Sequence, residues 1–133
     1  MAENGAEDAR CLALAEEAIE ASAARGWPVA GVIVEPIQAE GGDHHGSNTW
    51  FQGLQQLCKR RDVVYLIDEV QTGGGPTGKM WCHEWFDLPE APDIVTFSKK
   101  MLTGGLYHKP ELRPKHAYRI FNTWCGDPSK VRL

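Results

Sequence analysis

Apolar positions along the chain fall into two patterns, a helical period of three and four and short continuous runs. Leu12, Ala15, Ile19 and Ala23 recur at steps of three and four, and Glu16, Glu17 and Glu20 fill the intervening wet side. That spacing predicts an amphipathic helix over Ala6–Ala24. Gly26 offers a left-handed stop, and Pro28 follows where a helix cannot continue. A second helix is predicted over Thr49–Arg60, with Phe51, Leu54, Leu57 and Cys58 on one face. Between and after these helices lie short continuous apolar runs, Val29–Val34, Val63–Ile67 and Ile94–Phe97. Runs without alternation predict strands buried on both faces, as in a parallel sheet. Glu40-Gly41-Gly42-Asp43 and Gln71–Gly78, the latter with four glycines, read as loops. No regular element is predicted from Tyr107 to Leu133.

The order strand, helix, strand, loop, strand is that of an open α/β sheet with crossovers. Ligands of such sheets sit beyond the carboxyl ends of the strands. All three predicted strands end in chemically useful residues: Glu35 and Glu40, then Asp68 and Glu69, then Ser98 and Lys99.

Composition narrows the classes of function. The 133 residues suit one domain, and 42% hydrophobic with 24% charged residues is ordinary for a globular protein. A net charge of −4 without a Lys/Arg run argues against a nucleic-acid surface. No apolar stretch reaches membrane-spanning length. Met1–Arg10 lacks the apolar core of a secretory signal and is too acidic for a transit peptide. Cys11, Cys58, Cys82 and Cys125 form no CxxC pair and read as reduced thiols of an intracellular protein, in the mitochondrial matrix or the cytosol. His44 and His45 have no third ligand at useful spacing, so a solvated loop is expected there and no metal. Trp81 and Trp85 read as core packing, and His83 and Glu84 as surface or supporting residues.

Gly73–Lys79 fits the first seven positions of a phosphate-binding P-loop. Position 80 is Met, so no hydroxyl follows to reach a metal ion. The acidic strand end also lies on the same element as the glycines, whereas a nucleotide site needs the two motifs on different strands. The match is therefore set aside.

Chemistry on amines by an aldehyde cofactor needs a lysine to hold the aldehyde, an acid to keep a pyridine nitrogen protonated, and groups for a phosphate. Lys99 and Asp68 could supply the first two. Their surroundings carry more weight: Val34-Glu35-Pro36-Ile37-Gln38-Ala39-Glu40-Gly41-Gly42, Leu66-Ile67-Asp68-Glu69-Val70-Gln71-Thr72-Gly73, Pro92-Asp93-Ile94-Val95-Thr96-Phe97-Ser98-Lys99 and Thr103-Gly104-Gly105 occur in one order. In this the chain resembles the class III aminotransferases, which depend on pyridoxal 5'-phosphate (PLP). Phe97-Ser98-Lys99-Lys100-Met101 and Tyr118-Arg119-Ile120-Phe121-Asn122-Thr123-Trp124 resemble the 4-aminobutyrate branch in particular. The resemblance covers about Val29 to Lys130.

The resemblance implies a partial large domain of the aspartate-aminotransferase-type (fold type I) fold, a mostly parallel sheet with flanking helices. Residues 1–28 would be an acidic helix and linker, and residues 29–133 the central part of the PLP-binding large domain. Lys99, by register rather than Lys100, would be the Schiff-base lysine and proton carrier, and Asp68 the partner of the pyridinium nitrogen. Gln71 would bond the phenolic oxygen, Val70 would pack on the ring, and Thr123 would contact the phosphate held by the partner subunit of a homodimer. Glu40 would border the substrate pocket. The implied reaction is transamination of an ω-amino acid such as 4-aminobutyrate with 2-oxoglutarate, giving succinate semialdehyde and glutamate. In the family a phosphate cup, a stacking aromatic residue, a carboxylate-reading arginine and, in some members, iron–sulfur cysteines lie upstream. A second arginine and the small domain lie downstream. The chain is thus expected to be an incomplete segment that does not transaminate at an enzymatic rate alone. The competing expectation is a non-catalytic remnant or partner-binding fragment.

Overall fold

The computed structural model describes residues 2–121 and 126–128. Helix α1 spans Ala2–Ala24, four residues more than predicted at its start. It stops where expected: Gly26 takes φ +84°, and the Trp27 N–H bonds the Ser22 carbonyl at 3.1 Å. Helix α2 spans Asn48–Arg60. The Ser47 hydroxyl caps it by accepting the Trp50 N–H at 3.0 Å, while Lys59 and Arg60 complement the negative end.

Four strands form the main sheet: β1 (Gly31–Val34), β4 (Val64–Asp68), β5 (Ile94–Phe97) and β6 (Gly105–His108), in the order β1-β4-β5-β6. The first three run parallel, and β6 returns antiparallel to β5. A small antiparallel ribbon, β2 (Ile37–Gln38) with β3 (His44–His45), stands beyond the end of β1.

The core lies between the helices and one face of this sheet. Ile19, Leu54, Leu57 and Cys58 from the helices meet Val63, Tyr65 and Ile67, with Val32 and Val34 packed against them. A second cluster joins Phe51, Cys82 and Phe86, the two phenyl rings stacked at 3.9 Å. The helices approach closely because residue 53 is glycine: a Cβ there would lie 2.5 Å from Leu12 Cδ1. Arg61 adds ion pairs to Glu16 and Glu20 on α1.

Two expectations are corrected. The strands are not buried on both faces among the described residues: Tyr65 and Ile67 are buried, but Ile33 is 60% exposed. The continuous apolar runs match a two-sided burial that the described helices supply on one side only. The region from Tyr107 on is not wholly irregular either, since the end of β6 and a 3₁₀ turn, Pro110–Leu112, lie within it. β6 escaped notice because its tertiary setting makes it a strand. Leu102 turns the chain at φ +57°, and Phe97 lies so close over Gly105 that a Cβ would meet its ring at 2.7 Å. Lys109 then ties the far end to Asp93 at 2.7 Å and Glu90 at 2.9 Å.

Candidate active site at the carboxyl ends of the strands

Side chains alternate along a strand, so the inward face of Tyr65 and Ile67 sends Asp68 to the opposite, open face. Register sets Asp68 beside Thr96 of β5. Its Oδ1 accepts the Thr96 hydroxyl at 3.0 Å and the Val70 N–H at 2.9 Å. Oδ2 accepts no hydrogen bond among the described residues. One carboxylate oxygen of Asp68 is thus fixed, and the other has no partner among the described residues.

Lys99 stands just past the end of the neighbouring strand, β5, at the start of a 3₁₀ turn, Lys99–Met101. Its φ is +47°, a left-handed setting that a lysine rarely takes and that turns it away from the line of β5. Its side chain is exposed, with no hydrogen bond or ion pair among the described residues. Lys100 behaves differently: its Nζ donates to the Gln71 carbonyl at 3.2 Å. The two adjacent lysines are thus separated by their contacts, one engaged and one not.

Val70 and Gln71 lie two and three residues beyond Asp68 and are half-buried. The glycines after them serve two different needs. Gly74 and Gly75 take φ +86° and +97°. Gly73 instead allows close approach, since a Cβ would lie 2.8 Å from both the Glu69 carbonyl and the Trp81 ring. Lys79, which completed the P-loop pattern, donates to the Glu84 carbonyl at 2.8 Å and lies 4.2 Å over the Trp85 ring. The short 3₁₀ turn Cys82–Trp85 follows it, where a P-loop would open a long helix.

Glu40 lies in the turn of the β2–β3 ribbon and is exposed. Glu35 braces that turn by accepting the Ala39 N–H at 2.9 Å. No hydrogen bond or ion pair joins Glu40 to Asp68 or Lys99 among the described residues. Thr123 lies outside the described residues, as does Cys125. His44 and His45 form β3 rather than a plain loop.

The most constrained carboxylate is one that the sequence placed at a strand end without a role of its own. Glu69 is 0% exposed and accepts four hydrogen bonds: the Thr72 hydroxyl, the Cys82 and His83 backbone N–H groups, and His83 Nδ1 at 2.9 Å. Burial pushes its carboxyl up, but the bonds from His83, Thr72 and Cys82 outweigh it and hold it below the usual range. His83 is therefore tied to the interior, not a surface residue. The signal was the strand period itself, which must turn Asp68 and Glu69 to opposite faces. Trp81 is half-buried among Phe97, Tyr107 and His83 and belongs to neither core cluster, and Trp85 is half-exposed beneath Lys79. Burial pushes the Cys58 thiol up to about 11, with the Asp93 charge adding to it, and burial with Glu69 raises that of Cys82. Neither thiol is prepared as a nucleophile.

A carboxylate and a primary amine thus stand at the ends of adjacent parallel strands, in an α/β unit of the fold type I transferase kind. The class III aminotransferase family model matches residues 1–133. The chain belongs to that family. It is 54% identical over 131 residues to pig (Sus scrofa) mitochondrial 4-aminobutyrate aminotransferase, covering 98% of this chain and 26% of that protein. It is 53% identical over 133 residues to the probable mitochondrial 4-aminobutyrate aminotransferase of Caenorhabditis elegans, covering 100% and 28%. The chain spans about a quarter of the length of these curated relatives. Among solved structures, the lysine aminotransferase of M. tuberculosis in its internal aldimine form matches with a TM-score of 0.71 and 39% identity, over 78% of this chain and 23% of that one. An ornithine aminotransferase of Plasmodium yoelii matches with a TM-score of 0.58 and 37% identity, over 71% and 23%.

Proposed function

We propose that this chain is the cofactor-holding segment of a PLP-dependent ω-amino acid aminotransferase, acting on 4-aminobutyrate or a close relative with 2-oxoglutarate as acceptor. One observation carries the reading. Asp68 Oδ2 and Lys99 Nζ, on neighbouring strand ends, are both without hydrogen-bond partners among the described residues, while Asp68 Oδ1 and the adjacent Lys100 are engaged. That donor set fits PLP. Asp68 would accept the ring N–H through Oδ2, Val70 would cover a ring face, and Gln71 would bond the phenolic oxygen. Thr123 would reach the phosphate of the partner subunit in a homodimer. Bound PLP supplies an electron-withdrawing ring and an aldehyde carbon. Lys99 Nζ would hold that carbon and also move the proton at the substrate's amine-bearing carbon. Glu40 would border the substrate from the β2–β3 turn. Residues 29–133 would form the central part of the large domain, with residues 1–28 as the helix and linker that buttress α2. The mitochondrial relatives support a mitochondrial setting.

The test is chemical. The chain is mixed with PLP, reduced with borohydride and mapped by peptide. Label on Lys99 is expected; label on Lys100 alone would reverse the assignment. A second reading, a segment that acts by binding a partner, is favoured by one feature, the open apolar sheet face where Ile33 is 60% and Leu106 42% exposed. Absence of PLP label on any lysine, with retained binding to a complete homologous subunit, would favour it.

A further inference from the structure

We infer that Glu69 is the positioning residue of the Asp68 carboxylate. The inference rests on the reading of Asp68 as the cofactor's acidic partner. Glu69 is wholly enclosed, and a buried carboxylate is expensive unless every lone pair is used. Its Oε2 accepts the Thr72 hydroxyl at 2.5 Å and the Cys82 N–H at 3.0 Å. Its Oε1 accepts the His83 N–H at 2.8 Å and His83 Nδ1 at 2.9 Å. All four donors come from the two ends of one loop, Thr72 on one side and Cys82 with His83 on the other.

The backbone of Glu69 extends the same hold toward the site. Its N–H bonds the Thr96 carbonyl at 3.0 Å, and its carbonyl accepts the Gly73 N–H at 2.8 Å. Thr96 is also the residue whose hydroxyl bonds Asp68 Oδ1. Asp68 and Glu69 therefore grip the same residue of β5 from consecutive positions, one by side chain and one by backbone. On one face of the strand end Asp68 is presented to the site. On the other, Glu69 fastens the peptide that carries Asp68, Val70 and Gln71 to a closed loop. A fraying strand end would let the Val70 N–H and the Thr96 hydroxyl leave Oδ1, and Oδ2 would lose its aim.

A glutamine at this position cannot replace the carboxylate. It has one accepting oxygen, and its amide nitrogen would face two of the four donors. Amide hydrogen exchange of the ¹⁵N-labelled 133-residue chain reads the consequence without any cofactor. In Glu69→Gln the Val70 amide, which bonds Asp68 itself, is expected to exchange at least about tenfold faster, while Tyr65 and Ile67 hold their wild-type rates as controls of the fold. Faster exchange at Cys82 and His83 with Val70 unchanged would make Glu69 a loop anchor only and overturn the inference. If Glu69→Gln does not fold, Thr72→Val decides instead, since it removes one donor and keeps the carboxylate: a rise at Val70 supports the inference, and a wild-type rate overturns it. The cofactor reading is judged separately by the visible absorption band of the wild-type chain with PLP. A missing band removes PLP from Asp68 but leaves the exchange result to decide what positions that carboxylate.

Discussion

Asp68 shows how a single side chain can be half structural and half available. Its Oδ1 is committed to Val70 and Thr96, and an asparagine could keep both bonds through its own carbonyl oxygen. The difference falls on the other atom, where a neutral amide N–H can only donate to an unprotonated ring nitrogen and cannot hold that nitrogen protonated. Asp68→Asn should therefore keep the stability within about 1 kcal/mol, since only neutral hydrogen bonds replace charge-assisted ones. PLP affinity should fall on the order of a hundredfold, the scale of losing one oriented electrostatic partner. Absorbance titration with PLP beside thermal unfolding measures both; unchanged affinity would refute the role. Asp68 and Lys99 were legible in the sequence because each follows a continuous apolar run, and the end of a buried strand is where a parallel sheet presents its chemistry. Glu69 was not, because an acid beside another acid reads as one polar strand end until the strand period assigns each to a face. The separation of Lys99 from Lys100 was legible only by register; the contact of Lys100 with Gln71 comes from a loop 29 residues away in sequence.

Elements with a strong period were easy to read, and those made by tertiary contacts were not. Strand β5 fell where the apolar run ended, and α2 began within one residue of its expected start. The ribbon β2–β3 has two residues in each strand and a glycine-rich turn, too short for any period to show. Strand β6 opens with glycine and pairs only because Leu102 reverses the chain. Among local signals, Ser47 matters most. Its hydroxyl accepts from Trp50 at the start of α2 and donates to Asp8 on α1, so one side chain both caps a helix and joins two. Ser47→Ala should cost about 1–2 kcal/mol, at the upper end for a lost helix cap. Denaturant unfolding followed by circular dichroism reports it, and a variant as stable as wild type would show that the cap contributes nothing.

The whole molecule has two unlike sides. Beneath α1 and α2 the sheet is sealed, while across the other face Ile33 and Leu106 stand exposed on strands at opposite edges. An open sheet face that exposes large apolar side chains promotes association in water. The 133-residue chain is expected to self-associate with rising concentration, and Ile33→Lys with Leu106→Lys should shift sedimentation toward the monomer without loss of helix content. Sedimentation of the double variant identical to wild type would show that this face is not the contact. The apolar runs had announced such a face in the sequence, since they are hydrophobic on both sides of the strand; what the sequence did not show was which side the two helices take.

The loop that Glu69 closes also bears on how this region can change over generations. Its two ends are fastened at Thr72 and at Cys82 with His83, so its middle is free of the register of β4. At Gly75, which is exposed, an added Cβ would meet nothing within 4 Å, although its φ of +97° keeps glycine favoured at that position. Lengthening a surface loop costs little entropy once its ends are held, about 0.6 kcal/mol for each doubling. Changes of length at the exposed Gly75–Pro76 tip can therefore accumulate while Asp68 keeps its place. The segment is a natural hinge point for new sequence, a place where descendants of this fold can acquire contacts of their own without disturbing the chemistry one residue upstream of the clamp.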